Sequence, residues 1–202
     1  MSDSENAAEH LRVIRQLMER ATVYRAISAP TALGGGLAAI ALAAWQHFQG
    51  VTWQNFLATW LSLFVLLSLV NLALLWRDAR QRSQPFFSSG MKMALRALAP
   101  PLFAGGVIGV IITINARDLS QAASLWATFY GLALLAASSF APPSINKMGC
   151  AFVVLGLAAF ALQQTTELKS AVSASAIMGL GFGLIHVFYG LAVLGATRGK
   201  TP

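Results

Sequence analysis

Residues 53–76 read WQNFLATWLSLFVLLSLVNLALLW, and the run is closed by Arg77, Asp78, Arg80 and Arg82. No Asp, Glu, Lys or Arg interrupts it. A helix needs about 20 mostly apolar residues to cross the roughly 30 Å hydrocarbon core of a bilayer, so this stretch predicts a transmembrane helix. Trp76 stands beside Arg77, and Trp45 and Trp53 bracket the turn at the other end. Indole rings have an apolar body and a polar N–H, and they settle at headgroup depth. Trp60 and Trp126 lie deeper in their apolar runs and read as packing residues.

Working outward from this run, further apolar windows fall at 25–48, 98–115, 119–141, 146–164 and 171–196. The window at 98–115 is short, and residues 91–96 offer it a backward extension along the interface. The expected architecture is an all-α membrane protein of six transmembrane helices. It divides into an N-terminal amphipathic helix (1–22), the six-helix domain (23–197) and a short tail (198–202). Composition agrees: of 202 residues, 56% are hydrophobic and 10% charged, whereas a soluble domain carries about 25% charged residues. The net charge of +7 does not indicate nucleic acid, because the basic residues flank apolar spans instead of covering one face of a folded domain. The single Cys150 permits no intrachain disulfide and reads as a small packing residue. Asp3, Glu5, Glu9 and Glu19 make the start of the chain a poor secretory signal, so the first span reads as an uncleaved anchor.

Lysine and arginine set the orientation. Twelve of the fourteen fall in the N-terminal segment, the second and fourth connections and the tail; only Arg117 and Lys169 lie on the other side. Both termini are therefore expected in the cytoplasm of a cell whose inner membrane holds the chain.

Two segments resemble each other at a spacing of 71: Arg25 to Pro30 followed by Gly34-Gly35, and Arg96 to Pro101 followed by Gly105-Gly106. Ala58-Thr59-Trp60 lines up with Ala127-Thr128-Phe129, and FYGLALL at 129–135 with FYGLAVL at 188–194. Three helical hairpins in parallel orientation are expected, the third less completely matched. Proline in a helix's first turns leaves little backbone unsatisfied, and glycine lets a neighbour approach closely. Gly179, Gly183 and Gly190 form such a face on the sixth span.

Leu11, Ile14, Leu17, Met18 and Ala21 recur on one helical face near the N-terminus. With Arg12 and Arg15 this helix is expected on the anionic inner leaflet, with docking of a cytoplasmic protein partner as the alternative. The second connection carries Arg77, Arg80, Arg82, Lys92 and Arg96 together with Pro85, Phe86 and Phe87. Its rings are expected at headgroup depth and its cations on lipid phosphates. A homo-oligomer is also open.

Ionisable groups within spans are the default functional candidates, since each is costly to bury. His186 is the one such group here, and its expected partners are Tyr130, Tyr189, Asn71, Ser138 or a backbone carbonyl. Tyr130 and Tyr189 hold equivalent places in the FYGLA match. A central polar site of His186, Tyr189, Tyr130 and Asn71 would suit a small-solute carrier or receptor. The chain has no phosphate-binding glycine loop, no paired metal ligands at helical spacing and no nucleophile elbow. Ser138-Ser139 near Pro142-Pro143 lacks a specified dyad histidine. No enzyme, cofactor or metal is expected.

Three stretches, LMERATVYRAISAPTALGGG, RALAPPLFAGG and GFGLIHVFYG, resemble ones found in uncharacterised small bacterial six-transmembrane-helix proteins, hypothetical integral membrane proteins. That resemblance implies the fold and no activity, cofactor or site residue. Three parallel hairpins are also similar to mitochondrial carriers, but the Pro-x-acid-x-x-base motif of that family is missing here. The expected function is a non-enzymatic membrane module that binds a partner or lipid at its cytoplasmic face.

Overall fold

A computed structural model describes residues 10–13, 28–81, 86–87, 89–165 and 172–198. Of the expected N-terminal helix, residues 10–13 are helical and exposed; the rest lies outside the described residues, as do Arg15 and Arg82.

Helix α1 (Ala29–Gln49) starts at Ser28, whose hydroxyl accepts from the Thr31 N–H at 3.2 Å, with Pro30 in its first turn. There the missing proline N–H removes a donor that has no intrahelical partner in any case. The helix stops at Gly50, which adopts φ 69°. α2 (Trp53–Gln81) runs beyond Trp76 through the charged residues, because nothing in Arg77 to Gln81 breaks a helix once it emerges into water. α3 (Ser89–Asn115) absorbs the backward extension, which places Pro100 and Pro101 in its interior instead of its first turns. Each proline deprives the carbonyl four residues earlier of its bond, here at Arg96 and Ala97. α4 (Leu119–Ala136) is capped by Asp118, which accepts from the Gln121 N–H at 2.9 Å, after Arg117 at φ 57°. It ends five residues before the expected 141. Ser138 Oγ donates to the Leu135 carbonyl at 2.6 Å, and a 3₁₀ turn, Ser138–Phe140, leads to α5 (Pro143–Gln163). The last long helix is composite: α6 (Ala174–Met178), a π-helical stretch Gly179–Ile185, then α7 (His186–Arg198).

All of these elements are helical, and five of the helices are long and apolar enough to cross a membrane: Trp53–Gln81, Met91–Asn115, Leu119–Ala136, Pro143–Gln163 and Ala174–Gly195. α1 has comparable length, 21 residues, but Gly34, Gly35, Gly36, Gln46, His47 and Gln49 dilute its apolar character.

The distribution of side chains inverts that of a water-soluble protein. The buried positions are rich in alanine (Ala32, Ala39, Ala43, Ala122, Ala123, Ala127, Ala133), while Phe103 is 75% and Phe188 67% exposed. In hydrocarbon no hydrophobic force drives helices together, so small residues that allow close backbone contact fill the interfaces and large apolar ones face lipid.

Two tight crossings hold the bundle. In the α4–α5 crossing, a Cβ on Gly131 would lie 2.7 Å from the Gly149 carbonyl oxygen, and one on Gly156 would lie 2.6 Å from the Thr128 nitrogen. In the second, α1 runs against the composite helix: Gly36 abuts the Gly183 carbonyl, Ala43 meets Gly179, and Leu33 with the Ala29 carbonyl meets Gly190. The small-residue face expected on the sixth span is thus the face that receives α1. α4 also packs broadly on α3, whereas α2 touches α1 and α3 only slightly.

α2 is held chiefly at its N-terminal end, where Phe56 and Trp60 are its only buried residues. The Arg117 guanidinium lies 3.9 Å from the Trp53 ring centroid, Phe56 stacks on Trp126 at 5.5 Å, and Trp60 Nε1 donates to Gln46 Oε1 at 2.9 Å. Farther along the helix, Leu67 fits against Gly35, and Asn71 Oδ1 accepts from the Ser28 N–H at 3.4 Å.

Candidate functional site

Of the residues named from the sequence, the structure brings Tyr130 and His186 into direct contact. α4 supplies the tyrosine; the first residue of α7, at the end of the π-helical stretch, supplies the histidine. Tyr130 Oη and His186 Nε2 are 3.0 Å apart. Nδ1 is buried and makes no hydrogen bond of ordinary geometry. Which of the two atoms donates in the Tyr130–His186 bond is set by the imidazole tautomer.

Phe152 from α5 and Phe182 from the π stretch close around the pair. The Tyr130 ring lies 4.8 Å from Phe152, 5.1 Å from Phe182 and 5.6 Å from His186, centroid to centroid. Phe152 and Phe182 are themselves 5.1 Å apart. Rings at these separations are in contact, leaving no room for a solute between the four. Tyr189 is buried and close enough to Tyr130 to interact with it electrostatically. Asn71 is engaged elsewhere, at the start of α1. The expected central polar site is therefore a Tyr–His hydrogen bond sealed in aromatic packing.

Two polar clusters went unnoticed in the sequence. Gln46, 1% exposed, donates from Nε2 to Thr59 Oγ1 at 2.8 Å while its Oε1 receives the Trp60 indole, tying α1 to α2. Gln163, 6% exposed, donates to Ser124 Oγ at 2.8 Å and to the Ser120 carbonyl at 3.2 Å, tying α5 to α4. Each glutamine ends an apolar helix and resembles an ordinary loop-flanking residue. The available signal was its position next to the apolar run, within reach of a polar residue on the adjacent helix.

The cations form a second, exposed locus. Arg77 and Arg80 lie on the last turns of α2 and Lys92 and Arg96 on the first turns of α3, all exposed; Arg12 is exposed on 10–13. The Arg80 guanidinium sits 4.4 Å from the Trp76 ring centroid. Beside them, Leu69, Leu72, Ala73 and Trp76 of α2 and Phe86 of the following connection line a groove of about 270 Å³ that is almost wholly apolar. Among the described residues no three His, Cys, Asp or Glu side chains converge as metal ligands. No family model matches the chain, and no curated protein or solved structure does so either.

Proposed function

We propose that the chain is a non-enzymatic, six-span membrane module whose cytoplasmic face binds anionic inner-leaflet lipid or a protein partner. α1 serves as a span beside the five long apolar helices, the first in chain order. Its contacts with the composite helix run from Ala29 and Leu33 against Gly190, through Gly36 against Gly183, to Ala43 against Gly179. A helix packed antiparallel along a membrane-crossing neighbour shares its depth. With α1 included, the lysine and arginine asymmetry assigns both termini to the cytoplasm of the inner membrane. The N-terminal amphipathic helix then rests on that face, and the bacterial resemblance of the three sequence stretches fits the same setting.

The hairpin repeat belongs to this reading. Gly131 and Gly190, aligned in the FYGLA match, each seat an even-numbered span against the first helix of another hairpin, on α5 and α1 respectively. The position aligned with them in α2 is Ser62, which is exposed, and α2 packs little on α3.

The observation that carries the function is the exposed cluster of Arg77, Arg80, Lys92 and Arg96 where two helices emerge at one end of the bundle. Clustered cations beside spans attract acidic headgroups by about 1 kcal/mol each near the surface. The test is mass spectrometry of the intact protein extracted from native membranes in mild detergent, compared with a variant carrying Gln at those four positions. Wild type is expected to retain an anionic phospholipid or a co-purifying protein that the variant loses. Equal retention by both, or a bare wild-type protein, overturns the reading.

A further inference from the structure

The groove on α2 gives the inner-face reading a specific occupant. Leu69, Ala73, Trp76 and Arg80 follow one another at helical spacing and so share a face. That face points away from α1, which α2 meets through Leu67 and Asn71 on its opposite side. From Leu69 to Trp76 the apolar wall extends ~10 Å along the helix, and Phe86 of the connection lines the same groove. At the inner end the wall gives way to Arg80, held over the Trp76 indole, with Arg77 on the adjacent turn. A shallow apolar groove whose lining residue Trp76 carries the Arg80 guanidinium matches a single amphiphile: an acyl chain joined to a phosphate. The guanidinium geometry suits phosphate oxygens, and the stacking on Trp76 pre-orders Arg80 at the membrane surface.

We propose that this groove is a binding site for one anionic phospholipid, with an acyl chain along Leu69, Leu72 and Ala73 beside Phe86 and the phosphate at Arg80 and Arg77. The proposal rests on the inner-face reading and narrows it to one place. Neutral phospholipid would share the acyl contact and lack net charge to complement the arginines.

The experiment titrates delipidated full-length protein in detergent with phosphatidylglycerol or phosphatidylcholine of identical acyl chains, counting bound lipid by native mass spectrometry. One phosphatidylglycerol is expected to bind about tenfold more tightly than phosphatidylcholine. Ala73→Trp, which fills the groove, is expected to weaken that first binding about tenfold. Arg80→Gln should abolish the preference between the two lipids. Leu157→Trp, at an exposed position on α5, controls for adding an indole to the lipid-facing surface and should bind as wild type does. Ala73→Trp binding as tightly as wild type, or equal affinity of wild type for the two lipids, overturns the proposal. Loss of phosphatidylglycerol by the four-Gln variant while Ala73→Trp retains it would sink the groove and leave the inner-face reading standing. Retention by both would sink both.

Discussion

Gly131→Ala adds one methyl group at the α4–α5 crossing, and the structure allows its cost to be worked out. The new Cβ would lie 2.7 Å from the Gly149 carbonyl oxygen and 2.7 Å from the Val153 nitrogen. Both are backbone atoms of α5, so no rotamer change relieves the contact. Ordinary contact begins near 3.4 Å, so the two helices must separate by roughly 0.7 Å, loosening the close approach on which association in lipid depends. Overpacking of this kind costs about 1–3 kcal/mol, a five- to 150-fold shift in the unfolding constant. Gly106→Ala is the matched control: it meets nothing within 4 Å, and replacing a helical glycine by alanine is neutral or stabilising by up to about 1 kcal/mol. Both variants would be unfolded with SDS in mixed micelles and followed by tryptophan fluorescence. Gly131→Ala should unfold at a clearly lower SDS fraction than wild type and Gly106→Ala at the same or a higher one. Equal midpoints for the two variants would refute the reasoning that backbone approach at Gly131 holds the bundle.

Tyr130→Phe removes the hydroxyl and leaves His186 Nε2 buried without a partner, which should destabilise by about 1–3 kcal/mol. The double variant Tyr130→Phe, His186→Leu should recover part of that loss in detergent thermal melts, and a double variant less stable than both singles would show that the pair is not coupled as described. Gln46→Leu strands the Trp60 indole N–H and cuts one of the links between α1 and α2, for an expected loss of about 1–3 kcal/mol. The same melts check it, and an unchanged midpoint would mean that the other contacts of α2 anchor it without the glutamine.

Some contacts were visible in the sequence in outline. Tyr130 was one of several partners open to His186, and the structure selects it over Tyr189, Asn71 and Ser138. Gly179, Gly183 and Gly190 announced a packing face without saying what it received. The π-helical stretch had no evident signature beyond Gly179, Gly181 and Gly183, which ease the crowding of a wider turn. Phe152 and Phe182, which close the central cluster, are indistinguishable in sequence from lipid-facing phenylalanines such as Phe103 and Phe188.

Location along the chain was readable from residue types alone, because a bilayer selects each side chain by its own transfer energy. Apolar runs therefore mark the helices, and arginine, lysine and tryptophan mark their ends. Partnership was not readable. Gly105 and Gly106 are adjacent and chemically identical, yet one presses on Phe129 and the other faces open space. Only the rotation and crossing of α3 on α4 separates them. Helices in lipid associate through shape and sparse hydrogen bonds between distant residues, so the aromatic seal on His186, the two buried glutamines and the groove beside Arg80 came into being only when the helices were packed together.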